Sequence, residues 1–525
     1  MRHRLVLAAG LGLFALALSA VSLQFFGLGE PADVIAIELA EAEPIATSIP
    51  SPTPVDEVPA PVALLGEPWG TASGLLQFRG NPSHTWYGAG PVPFAPAVAW
   101  RHPERPMCVN EVTGHREVVT TDPETGEETV EQEPIIKRWC GTGWTGQPVV
   151  WERPDGVTEV IVGAFDGAVH FVDADTGQRT RPAFQTGFMI KGSVSIDPDG
   201  FPLLYTGSRD NYFRVIALDR DVPTELWRMS PHPQGIWNND WDGNASIVDG
   251  ILYEGGEDSW LRAVELHRTT DADGLVQVDP QIVFEMQGWT QEQLDENGDR
   301  NVSIESSVAV DVERQRLWFS NSGGRVAALD ISNIRDGVAP IVFDFLVGDD
   351  VDSSIVLERD GTAIVAVEYE RRTARSKRVG QLLKLDPERP EDPIVWSVAV
   401  PDDPRPGVAY DDGGIWSTPA LYAGHLYVTT HPGDLLVVDA STGEVTMTER
   451  FGYHEWSSPV VVDDTLVVAR CQGGALLAWS LQDPSAPIAL WSSDLPSGSC
   501  IESTPAVWKG SIYVGSRDGY LYAWR

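Results

Sequence analysis

Eight short stretches of this sequence repeat one frame. The clearest copies are Glu502-Ser503-Thr504-Pro505-Ala506-Val507, Trp416-Ser417-Thr418-Pro419-Ala420-Leu421 and Trp456-Ser457-Ser458-Pro459-Val460-Val461. Looser copies open at Thr145, Lys191, Asp242, Glu305 and Asp352. The opening residues therefore form a column: Thr145, Lys191, Asp242, Glu305, Asp352, Trp416, Trp456 and Glu502. Asp and Glu are depleted in strands, and carboxylates brought together repel one another unless a cation or a donor lies between them. If the copies converge, four carboxylates, one lysine and two tryptophans meet. Such a set supports binding of a cation, a polar ligand or the cationic end of a peptide. Asp242, Glu305, Asp352 and Glu502 are hard oxygen donors of the kind that Ca2+ takes, and Lys191, Trp416 and Trp456 complete a ligand site. The competing reading is a hydrated mouth whose acids cap backbone N–H groups and pair with Lys191. Residue types alone leave both open.

Two further stretches carry chemistry. Asp295, Asn297, Asp299, Asn301 and Ser303 set oxygen side chains at positions 1, 3, 5, 7 and 9 of an EF-hand-type loop. Arg300 replaces its glycine and Ser306 its final acid, so an ordinary Asn-Gly turn is the simpler reading. The run Glu368 to Arg378 gathers arginine and lysine in an acidic chain. It reads as a solvated extension paired to the acidic surface, or as a partner-docking loop. No G-x-S-x-G elbow, Walker A loop or H-E-x-x-H helix occurs, and the ten histidines lack ligand spacing. Binding rather than catalysis is therefore expected. A net charge of −39 excludes nucleic acid as a partner.

These residues need elements to position them. Around each copy the chain reads as strand, turn, strand, turn, strand, as in Ser511-Ile512-Tyr513-Val514-Gly515 followed by the Asp518-Gly519 turn. The aligned positions, three residues after the column, are 148, 194, 245, 308, 355, 419, 459 and 505. Such spacing fits blades of a β-propeller, about 40–50 residues each, with loop insertions near 268–301 and within 369–415. One four-stranded sheet cannot bury both faces, whereas eight arranged radially can. The fold class predicted is all-β: an eight-bladed propeller. The last copy ends after three strands, so the strand near Ala97-Val98-Ala99-Trp100 is expected to complete it and latch the ring.

The repeats resemble the pyrroloquinoline-quinone-type (quinoprotein) propeller family. Asp173-Ala174-Asp175-Thr176-Gly177 and Asp439-Ala440-Ser441-Thr442-Gly443 match its Asp-x-x-Thr-Gly turn, and Trp227, Trp396 and Trp491 match its closing-strand tryptophan. Arg181 and Met447 stand where the two turns' own blades would carry that tryptophan. Phe78-Arg79-Gly80-Asn81-Pro82 resembles the opening of such propellers. The resemblance covers about residues 69–525. It implies the fold, and it admits both redox enzymes and binding scaffolds. The family's dehydrogenases carry adjacent cysteines over their quinone; this chain has no adjacent cysteines, so pyrroloquinoline quinone is not expected. The chain is also similar to propeller lipoproteins that assist outer-membrane assembly, although it lacks a lipidation cysteine. Three functions follow: a binding or scaffold propeller, a quinone- or metal-dependent oxidoreductase, and a carbohydrate or peptide binder.

Residues 1–29 hold Arg2 and Arg4 and then an apolar run from Leu5 to Leu28, a membrane anchor or a cleaved signal peptide. Residues 30–68 are rich in proline, alanine and acids and read as an extended linker. Residues 69–525 would then lie outside the cytoplasm, at a membrane surface or secreted. There Cys108, Cys140, Cys471 and Cys500 can form disulfides. Three pairings are open, of which Cys108–Cys140 with Cys471–Cys500 is the local one.

Overall fold

The computed structural model describes residues 66–121, 123–125, 128–143, 146–402 and 413–525, with the backbone of Leu5 and Val6. The rest of the apolar run, the linker before Gly66, and Thr145 lie outside the described residues. No helix among the described residues is long and apolar enough to cross a membrane.

Eight antiparallel sheets form the propeller. Their innermost strands are Val149–Glu152, Ser195–Ile196, Ser246–Val248, Ala309–Asp311, Val356–Leu357, Ala420–Tyr422, Val460–Val462 and Ala506–Trp508, which define blades 1 to 8. The two middle strands of a blade are packed on both faces by neighbouring blades, so runs such as Leu203–Thr206 and Phe213–Ala217 are buried throughout. Outer strands such as Ile341–Leu346 have partly exposed residues. As expected, the chain's N-terminal part closes the ring. Val98–His102 pairs with Leu521–Trp524 as the fourth strand of blade 8, placing Val98 opposite Trp524 and His102 opposite Leu521.

Tryptophans tie two of the closing strands to the next blade. Trp396 of blade 5 packs on the Asp439–Gly443 turn of blade 6, donating from Nε1 to Ala440 O at 3.0 Å. A Cβ on Gly443 would stand 2.7 Å from the Trp396 ring. Trp100 of blade 8 does the same at the Asp173–Gly177 turn of blade 1. Each turn therefore meets the tryptophan of the preceding blade, which is why Arg181 and Met447 stand in the turns' own blades.

The frame itself links the blades around the axis. The backbone N–H of Asn244, Ser307, Ser354, Thr418 and Ser458 each donates to the side-chain hydroxyl of Ser307, Ser354, Thr418, Ser458 and Thr504 on the following blade. Ser and Thr recur in the frame because their hydroxyls satisfy strand-start donors that no ladder reaches.

One end of the channel is filled by the chain's own residues 69–92. Gly74–Leu75 pairs with blade 1, and Gly88–Ala89 runs parallel to Val507–Trp508 of blade 8. Between them, Leu76, Pro82 and Ser83 accept from Ile196, Val310 and Leu357 of blades 2, 4 and 5. Phe78 N donates to Asn244 of blade 3, Tyr87 bonds Leu421 of blade 6, and Arg79 reaches Pro459 of blade 7. This plug touches every blade.

Residues 109–139 form a separate unit. It is a long hairpin built on Cys108–Thr121 and Glu128–Cys140, with Val112, Val130, Ile135 and Ile136 exposed. The disulfides are Cys108–Cys140 and Cys471–Cys500, the local pairing. In the 268–301 insertion, a short helix, Gln291–Asn297, is capped by Thr290. Within 369–415, Ala374–Val379 is helical.

Candidate functional site

At the end opposite the plug, the frame approaches each innermost strand as extended chain. Residues two apart on such a chain project to the same side. The column residue and the one two before it therefore face the mouth together: Asp240 with Asp242, Asp350 with Asp352, and His454 with Trp456. The residue between them points into the core, as Trp241, Ile304, Val351, Ile415 and Ile501 do. A third set follows each blade's second strand: Arg209, Glu257, His431 and Arg517 in turns, and Glu368 in the short strand Glu368–Tyr369.

These sets meet in three groups. In the first, the Lys191 ammonium contacts Asp242 and lies 3.2 Å from Glu257 Oε1. Asp242, Glu257 and Glu305 present oxygen atoms all within 4.8 Å of one another. Burial alone would lower the pKa of Lys191, but the three carboxylates outweigh it and hold it above its usual value. Burial raises Asp242 well above the carboxylate range, whereas Lys191 keeps Glu257 below it despite burial. Asp240 is pushed up to about 6 by burial and Glu257, against its ion pair with Arg209.

In the second group, Asp350, Asp352 and Glu368 are buried with oxygen atoms within 4.8 Å of one another. Burial, joined by Glu305 and Glu370, pushes Asp350 up to about 8, with Arg371 opposing. Burial and mutual repulsion raise Asp352 and Glu368 far above their ordinary values. Ser322 Oγ donates to Asp352 Oδ1 at 3.2 Å. Glu368 Oε1 and Asp350 Oδ1 are buried without a hydrogen-bond partner.

The third group is aromatic. Trp416 and Trp456 stack at 4.5 Å between centroids and 6° between planes, His431 meets Trp416 edge-on at 5.4 Å, and His454 lies 4.2 Å from Trp456. Burial, with His454 beside it, drops His431 to about 3, so it stays neutral. Glu502 belongs to this side of the mouth, 3.7 Å from His454 and 3.5 Å from Arg517.

Comparison with known proteins matches the fold. Residues 378–525 match the family profile described as "Outer membrane protein assembly factor BamB", from the helix Ala374–Val379 to the last strand. A europium-containing methanol dehydrogenase superposes with a TM-score of 0.53 at 13% identity, over 86% of this chain and 98% of that one. The chain is an eight-bladed β-propeller, and its residues 378–525 resemble that profile's family. Quinohemoprotein alcohol dehydrogenase ADHIIG from Pseudomonas putida HK5 superposes with a TM-score of 0.51 at 12% identity, over 73% of this chain and 74% of that one. Sqt1 of Saccharomyces cerevisiae gives 0.53 at 11%, over 70% and 92%. No curated protein matches the sequence. At these identities the structural likeness carries the fold alone.

Within this propeller the column residues divide differently from the expected four-oxygen set. Asp242 and Glu305 share Lys191, Asp352 joins Asp350 and Glu368, and Glu502 sits with His454 and Arg517. Reading one column missed Glu257, Asp350, Glu368, His431 and His454. The signal for Asp350 and His454 was the polar–apolar–polar alternation before each copy of the frame. The signal for Glu257 and His431 was the residue entering each blade's second turn. The calcium-loop reading of 295–303 gives way to local pairing. Asp295 and Asn297 lie in the helix, Gln291 bonds Asp295, and Asn297 bonds Gly323 O. The arginines of the 368–378 run pair with neighbours: Arg372 with Asp402 at 2.9 Å and Arg375 with Leu346 O at 2.6 Å.

Proposed function

We propose that this propeller is an extracytoplasmic binding protein that takes a cationic group into its acidic mouth. The observation that carries the reading is a charge imbalance. Blades 2 to 5 bring Asp240, Asp242, Glu257, Glu305, Asp350, Asp352 and Glu368 together against Lys191, Arg209 and Arg371. Seven buried carboxyls facing three cations are costly unless protons or an added cation offset them. The two disulfides and the apolar N-terminal run support an extracytoplasmic site, and the BamB-like profile supports a protein partner.

The oxidoreductase alternative fits the residues poorly. Pyrroloquinoline quinone is a flat tricarboxylate that needs cations and a slot between flat groups. Lys191 and Arg209 are already paired with acids. Trp416 and Trp456 stack on each other, and the disulfides join cysteines 32 and 29 residues apart. Opening a slot for a ring would need about twice the stacking separation.

Titration of the full chain with calcium chloride and with Nα-acetyl-lysinamide, followed by tryptophan emission, tests the reading. Saturable change with at least one cation, lost in Asp352→Asn, is expected. Indifference to both would overturn it, as would dye-linked alcohol oxidation after incubation with the quinone.

A further inference from the structure

The mouth holds two buried carboxylate triads on adjoining blades, and the chain treats them unequally. Asp242, Glu257 and Glu305 receive an ammonium from within the chain, that of Lys191. Asp350, Asp352 and Glu368 are equally compact and equally buried, yet no lysine is paired with them among the described residues. Arg371 stands 3.7 Å from Asp350, donates to the backbone oxygens of Ser322 and Asn301, and faces Asp299 at 3.6 Å. Glu368 is 1% exposed, and its Oε1 has no hydrogen-bond partner. One blade further on, Trp416 is buried with an unpartnered indole N–H.

We infer that the Asp350–Asp352–Glu368 triad receives the side-chain ammonium of a lysine from a partner polypeptide, as Lys191 fills the neighbouring triad. The inference rests on the reading of the mouth as a cation site. An ammonium offers three donors to three carboxyl groups. Its alkyl stem then has the Trp416–Trp456 wall to lie against, and the partner's backbone supplies the carbonyl that the Trp416 N–H lacks. A bare metal ion would satisfy the carboxylates and leave that N–H unpaired. A second guanidinium would meet Arg371. The plug of residues 69–92 fills the channel's other end, so the lysine must enter from the mouth. The chain's net charge of −39 favours encounter with a basic partner.

Calorimetric titration of the full chain at pH 7.5 tests this with three probes: Nα-acetyl-lysinamide, its uncharged analogue Nα-acetyl-norleucinamide, and calcium chloride. The lysine probe should bind saturably and the norleucine probe should not. Glu368→Gln and, separately, Asp350→Asn should weaken the lysine probe at least tenfold while near-ultraviolet circular dichroism stays unchanged. Calcium binding that depends on Glu368 and excludes the lysine probe would overturn the inference and leave the mouth a cation site. Silence with both cations in the unmutated chain would overturn both readings. Equal binding of lysine and norleucine probes would also overturn the inference, since it would make the stem rather than the ammonium the recognised group.

Discussion

Arg79 Nη2 donates to the carbonyl oxygen of Pro419 at 2.6 Å, across 340 residues of sequence. The same guanidinium bonds Pro459 O at 2.9 Å and lies 4.5 Å over the ring of Tyr87. It is wholly buried. One side chain on the plug thus binds the residues that lead into the innermost strands of blades 6 and 7. Replacing it with methionine keeps much of the volume and orphans the carbonyls. Arg79→Met should cost about 3 kcal/mol or more, read as a lower denaturant midpoint. An unchanged midpoint would mean that the plug does not hold the ring.

Lys191 is the internal counter-ion of the first triad. Lys191→Met leaves Asp242, Glu257 and Glu305 buried without it, a loss of about 3–5 kcal/mol at pH 8. At pH 5 the carboxyls can hold protons instead, so the loss should shrink. Urea unfolding at the two pH values reads the difference, and an equal loss at both would refute the charge argument.

Global stability should fall as pH rises through neutrality. Burial pushes Asp350 and Glu455 up to about 8, and burial with Glu257 pushes Asp240 up to about 6. Unfolded carboxyls release their protons near pH 4. Between those values the folded chain holds protons that the unfolded chain has lost, so stability decreases with rising pH. Below pH 4 and above about pH 8 these groups contribute no slope. The melting temperature should therefore be lower at pH 8 than at pH 6, and Glu455→Gln should flatten the trend. A higher value at pH 8 would contradict these assignments.

The ring closes through Trp100, which packs against Tyr513 and donates from Nε1 to Ala174 O at 3.1 Å. Trp100→Ala removes the tie from blade 8 to blade 1. A loss of about 3–5 kcal/mol is expected, with faster proteolysis of the strand Val98–His102. A comparable midpoint and unchanged proteolysis would show that blade 8 closes without it.

Much of this architecture is legible in order along the chain. Eight copies of the frame, the turn residues between them and a spare strand at residue 98 dictate eight blades and a latch, because each copy leaves apolar faces that only neighbours can cover. The column Lys191, Asp242, Glu305, Asp352, Trp416, Trp456 and Glu502 is legible as one end of a channel, because equivalent residues of a radial repeat point the same way. Phe78 to Pro82 is visible as a motif, but nothing local says that it lies across the axis. Its hydrogen bonds reach residues as distant as Pro459, and they exist only once the ring has formed.

The grouping of the mouth is the part that only tertiary structure decides. Glu257 enters from a turn and Glu368 from the short strand Glu368–Tyr369, and Lys191 crosses from blade 2 to blade 3. Which carboxylate gains a cation depends on distances between blades, not on spacing within one. The tryptophan rule shows the same logic: Trp396 serves Gly443 of the next blade, so each turn looks incomplete when read alone. Sequence determined the repeat, its number and its inward-facing chemistry, because these follow from burial and strand periodicity. Closure of the ring decided the pairing, because a buried charge takes the partner that space places nearest.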